Sequence, residues 1–112
     1  MSKATGIVAV LLDGENKHDR AREKPGSFFY CSTESHGPSA GIIHSCPCGC
    51  GNLGHLNLDP AAGRPLWTNA GTREKPTLTP SVGIKKYRDD QDVEADGYHW
   101  HGYLTNGVWT SC

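Results

Sequence analysis

Apolar and polar positions follow one another in short stretches along this chain, and no segment sustains a 3.6-residue rhythm, so the pattern predicts strands and turns. Six apolar residues at 7–12 predict a buried strand, ended by Asp13-Gly14. Residues 16–25 are densely charged and read as a short exposed helix or a solvated loop. Phe28, Phe29 and Tyr30 mark a strand at 27–33, and Ser35-His-Gly-Pro-Ser39 is a turn cluster. A strand at 40–45 leads straight into a cysteine run, and 55–59 alternates with period two.

Residues 60–75 are turn-rich around one aromatic anchor, Trp67. A strand candidate follows at 77–87, where Pro80 implies an edge or a bulge because proline has no N–H for a ladder. Residues 89–97 form an acidic loop. The last segment carries the clearest signal. Two β-prone runs, 98–105 and 108–112, flank Asn106-Gly107, and both positions of the tightest hairpin turn need positive φ. The expected fold is mainly β: one small domain over 1–112, sheet- or sandwich-like, with a C-terminal hairpin and at most one short helix.

Composition thins the expected core. Of 112 residues only 36% are hydrophobic, while Gly (14) and Pro (7) are plentiful, so a bound metal would help the domain fold. The net charge of −1 argues against a protein that grips nucleic acid through phosphates, and leaves only a weak case resting on Trp67, Trp100 and Lys85-Lys86. The run at 7–12 is far short of the ~20 apolar residues of a membrane span, and is also too short for a secretory signal core of ~7–15. A cytoplasmic protein with no membrane contact is expected. Five cysteines, three of them at alternate positions, suit a metal site better than a disulfide framework.

The chemistry concentrates in two places. Cys46-Pro-Cys48-Gly-Cys50-Gly51 offers thiolates on a glycine-rich turn whose N–H groups can face the sulfurs. His99-Trp100-His101 places two imidazoles on one face of a strand. These residues, Cys46, Cys48, Cys50, His99 and His101, are the expected ligands of one zinc ion. They are five donors for four places. His44 is a reserve ligand or supporting residue, Cys112 reads as an inert terminal thiol, and Cys31 as a core residue. His18, His36 and His55 read as surface positions.

Metalloenzyme templates fail on spacing. The serine that follows the His-x-His of metal-dependent isopeptidases would be Ser111, too late and with no Asp after it; the deaminase Pro-Cys-x-x-Cys and the helical His-Glu-x-x-His are also missing. The acidic loop opens like a calcium loop at Asp92, Glu94 and Asp96 but has Tyr103 where the bidentate Glu belongs. The hydroxyls of Thr77-Leu-Thr-Pro-Ser81 can line a polar pocket or bond the sulfurs, or are plain edge-strand residues.

The order Cys46-Pro-Cys-Gly-Cys-Gly51, Trp67, Thr77-Leu-Thr-Pro-Ser81, His99-x-His-Gly102 and Tyr103-Leu-Thr-Asn-Gly107 resembles a group of small, uncharacterised bacterial and bacteriophage zinc-binding proteins. The resemblance covers 46–112. It implies a bound zinc and a phage or prophage origin, and carries no activity. Many of that group have a cysteine just before the histidine strand; Tyr98 stands there in this chain. The expected function is a zinc-stabilised module that binds a host or phage protein. The alternative is a metal-dependent hydrolase working through the Cys/His site.

Overall fold

The computed structural model describes residues 5–33, 37–63, 65–86, 91, 93 and 97–111. The domain is mainly β, with one short α-helix and three small sheets among the described residues. In chain order the elements are β1 (Ile7–Val8), α1 (Lys17–Glu23), β2 (Phe28–Thr33), β3 (Gly37–Ser45), β4 (Leu53–Asn57), a 3₁₀ turn (Pro60–Ala62), β5 (Thr68–Asn69), β6 (Leu78–Thr79), β7 (Val82–Ile84), β8 (Trp100–Thr105) and β9 (Val108–Ser111). One sheet has the order β1-β9-β8-β7, the second β2-β3-β4, and β5 and β6 form a two-stranded ribbon. Among the described residues every ladder is antiparallel.

The β8–β9 hairpin closes on Asn106 and Gly107, with φ of 48° and 74°, as the Asn-Gly pair requires. It pairs Thr105 with Val108 and Leu104 with Trp109. The two larger sheets meet over a common core. Phe28, Ile42 and Leu56 come from one, and Val82, Ile84, Trp100, Leu104 and Trp109 from the other. Trp109 is the pivot: its ring stands edge-on to Trp100 at 5.6 Å, and its Nε1 donates to the Gly26 carbonyl at 2.7 Å. A second cluster, Leu12, Ala21 and Phe29, lies where α1 covers the outer face of the three-stranded sheet. Arg22 of that helix donates to the Gly51 carbonyl in the cysteine turn at 3.3 Å.

Three expectations change. The run at 7–12 forms a ladder only at Ile7 and Val8; Val8 is 63% exposed at the sheet edge, and Leu11 makes a lone bridge to Phe28. The strand at 77–87 is divided at Pro80. Its first part pairs with β5 and its second with β8, because the proline cannot carry one ladder through. Cys31 is half-buried rather than in the core, with its Sγ beside Gly41, where a Cβ would stand 2.9 Å away. The turn at 35–39 falls partly, the acidic loop mostly, and Cys112 wholly outside the described residues. No helix among the described residues is long and apolar enough to cross a membrane.

Candidate functional site

The cysteine run is a turn that leaves β3 and returns as β4. The Cys46 N–H donates to the Asn52 carbonyl at 2.9 Å, and the Gly49 N–H to the Cys46 carbonyl at 3.0 Å. Gly49 and Gly51 take φ of 89° and 87°, a region that a residue with a Cβ adopts only with strain. The turn aims three backbone N–H groups at sulfur: Cys48 at Cys46, Cys50 at Cys48, and Asn52 at Cys50. Such donors stabilise thiolates.

The sulfurs differ in environment. Burial pushes the Cys46 thiol far up, and Cys48 is raised mainly by the same cause. Burial also opposes ionisation of Cys50, but the Asn52 N–H and contacts from Cys48, Cys46 and Gln91 outweigh it and leave that thiol below its ordinary value. In a cluster of this kind a cation offsets the cost of bringing negative sulfurs together.

His99 completes the cluster. One donor atom from each of Cys46, Cys48, Cys50 and His99 lies within 4.8 Å of all the others. Cys46 Sγ is 3.2 Å from Cys48 Sγ, and His99 Nε2 is 3.1 Å from Cys48 Sγ. A tetrahedral ion with metal–sulfur bonds of ~2.3 Å sets its donors roughly 3.8 Å apart, within the spread seen here. The group can therefore hold a metal ion with only small side-chain adjustment.

His101 goes elsewhere. Its Nε2 lies 2.9 Å from the Ser81 Oγ, at hydrogen-bond distance. The β7–β8 register explains this meeting. Gly83 pairs with His101, and Ser81, two residues before Gly83, has its side chain on the same face. The Tyr98 ring packs on the His101 imidazole, with centroids 4.7 Å apart and a tilt of 36°. Gly83 makes the space for that ring: a Cβ there would stand 2.3 Å from Tyr98 Cε1. Trp67 holds the Ser81 backbone, its Nε1 donating to the Ser81 carbonyl at 3.2 Å.

Of the five donors expected from sequence, the structure brings four together and turns the fifth, His101, toward a serine. His44 is two residues from Cys46 but faces the core, where its ring lies 5.2 Å from Trp109. Ser81 is the residue that sequence reasoning left among edge-strand hydroxyls. Its signal was weak, since a serine after a proline has no spacing that marks a nucleophile.

A family described as "Bacterial ubiquitination-like system serine protease (BubE)" matches residues 15–112 of this chain. No curated protein and no solved structure matches.

Proposed function

Because this chain belongs to the family of bacterial ubiquitination-like system serine proteases, we propose that Ser81 is its nucleophile and His101 its general base. The 2.9 Å contact between Ser81 Oγ and His101 Nε2 carries this reading. It is the distance at which an imidazole can take the hydroxyl proton during attack.

Ser81 Oγ adds to the carbonyl carbon of an amide bond while its proton passes to His101 Nε2. The imidazolium then returns that proton to the leaving nitrogen as the C–N bond breaks, leaving an ester on Ser81. Water hydrolyses the ester with His101 again acting as base, which restores both side chains. Tyr98 on one side and the strand pairing of β8 keep the imidazole oriented between attack and release. In a ubiquitination-like system the bond in question is the amide that follows a ubiquitin-like modifier or joins it to another chain. Cleaving it matures the modifier or removes it from a conjugate.

The metal is zinc in this reading, held by Cys46, Cys48, Cys50 and His99. Three thiolates and an imidazole are a soft donor set that fills a tetrahedron, as in structural zinc sites. When bound, zinc supplies cross-linking of the cysteine turn to the start of β8. His99, two residues before His101 on one face, fixes the strand that carries the base.

The test is labelling by a fluorophosphonate, which reacts with activated serines. Wild-type protein is expected to be labelled at Ser81. Ser81→Ala abolishes the reaction, and His101→Ala slows it by at least about a hundredfold. Both variants should keep one zinc per chain. Labelling that persists in Ser81→Ala, or zinc lost from His101→Ala while His99→Ala retains it, would overturn the assignment.

A further inference from the structure

β7 is the last strand of its sheet, bonded to β8 on one side only. Which of its backbone groups face the open side follows from the hairpin. A two-residue loop is flanked by a hydrogen-bonded pair, here Thr105 and Val108, so Tyr103 also bonds toward β9, while Gly102 and Trp100 bond toward β7. Their partners, Val82 and Ile84, therefore turn their N–H and C=O groups to β8. The Ile84 carbonyl does accept from that side, from the His99 N–H at 2.8 Å.

Ser81, Gly83 and Lys85 consequently present their backbone groups to the open edge. The structure bears this out at both ends. The Ser81 carbonyl accepts from Trp67 Nε1 at 3.2 Å, and the Lys85 carbonyl from Asn52 Nδ2 at 3.1 Å. Gly83 lies between them, and among the described residues neither its N–H nor its C=O has a partner on that side.

The opposite wall of this opening is β4. The Leu58 N–H bonds to Ala40 across the β3–β4 ladder, so Leu56 and Gly54 also face β3, and Asn57, His55 and Leu53 face outward. The Asn57 carbonyl agrees, since it accepts from the Trp67 N–H at 2.8 Å. Trp67 thus ties the two edges at one end, and Asn52 ties them at the other. These ties run through side chains, and β4 and β7 form no ladder with each other. His55 and Gly83 direct their backbone groups into the window between.

We propose that this window is the main-chain clamp of the substrate: one residue of an extended peptide enters between the Trp67 and Asn52 ties, exchanging N–H···O=C bonds with Gly83, and so places a neighbouring residue at Ser81. The inference rests on the Ser81–His101 reading and adds to it the form in which substrate binds. The occupant is an extended peptide because what Gly83 offers, among the described residues, is one unpaired donor and one unpaired acceptor, two residues along the same strand from the nucleophile. Strand addition of this kind recognises a main chain in β conformation whatever its side chains. It favours a tail or linker over a folded surface, and a ubiquitin-like modifier offers such a tail at its point of attachment.

The test uses wild-type protein and three probes. A non-peptide fluorophosphonate reports Ser81 alone. Acetyl-tetra-alanyl diphenyl phosphonate adds a main chain with no informative side chains. Its single N-methyl derivatives remove one backbone donor at a time. The peptidyl phosphonate is expected to label Ser81. N-methylation at one residue should slow it by about tenfold, the worth of one hydrogen bond in a closed site, and methylation of the adjacent residue should have little effect, because only alternate residues of a strand turn toward the same neighbour. Equal rates for all methylated forms, or no reaction of the peptidyl probe where the fluorophosphonate labels Ser81, would overturn the clamp and leave the nucleophile standing. Failure of the fluorophosphonate to label Ser81 overturns both.

Discussion

At the scale of single residues, two positions show how closely the site depends on what is absent from a side chain. Gly83 has none, and the Tyr98 ring occupies the space beside His101 that a Cβ would take. Gly83→Ala must displace that ring. Shifting a catalytic base by an ångström is costly, so the fluorophosphonate rate is expected to fall roughly ten- to hundredfold while zinc content stays at one per chain. Unchanged labelling of Gly83→Ala would show that Tyr98 does not orient the base.

His44 is the other position. It is buried against Trp109 and opposite Gly54, and its Nδ1 has no hydrogen-bond partner among the described residues. Burial lowers its pKa to about 4, with the His55 charge adding to the effect. The folded state thus holds this ring neutral where the unfolded chain would bind a proton. Stability from this source is full above the unfolded value near 6.5 and falls as the pH drops toward 4. The loss is on the order of 3 kcal/mol over that window. Denaturant melts of chelator-treated protein, which removes the metal's own pH dependence, should show this decline, and His44→Leu should flatten it. A decline of the same size in His44→Leu would assign it to other groups.

At the scale of elements, the cysteine turn and β8 act as one unit. The turn supplies Cys46, Cys48 and Cys50, and β8 is preceded by His99, so a metal bound by all four would fix the strand that carries His101. Cys48 is the exposed member, and its replacement leaves no buried hole. Cys48→Ser is expected to weaken zinc binding and lower the melting temperature by at least about 10 °C, since about 1 kcal/mol moves a domain of this size by several degrees. Ser81 labelling should slow together with zinc loss, although neither Ser81 nor His101 is altered. If metal-free protein labels at the wild-type rate, the turn is a staple with no influence on the base.

At the scale of the whole molecule, one aromatic contact joins the sheets. Trp109 packs on Trp100 and His44 and bonds to the Gly26 carbonyl, so it touches both large sheets and the turn before β2. Gly26, at φ 76°, leaves the ring its place, where a Cβ would approach Trp109 Cδ1 to 2.9 Å. Trp109→Ala should cost about 3–5 kcal/mol, read from chemical melts. Trp109→Ala that melts like wild type would mean the sheets are joined by other contacts.

The sequence by itself determined what is local. The aromatic run at 28–30 marked β2, the stretch leading into the cysteines marked β3, period-two alternation marked β4, Asn106-Gly107 marked the hairpin, and the glycines of the cysteine turn marked a place where N–H groups can surround sulfur. Each depends on residues a few positions apart, where backbone sterics and pleat direction decide the outcome. The expected phage origin, implied by the resemblance, and the expected host-binding module, drawn from small size and the closed cysteine site, have no counterpart in the family match. Only the tertiary structure decided how the two histidines divide. His99 and His101 are equivalent on a strand read alone, both on one face and both able to bind metal. Their difference comes from what stands opposite: the cysteine turn across from one, and Ser81, brought in by the β7–β8 register, across from the other. That register joins segments separated by the acidic loop, and it is set by the packing of Val82, Ile84, Trp100 and Leu104 into a shared core, which no short stretch of sequence specifies.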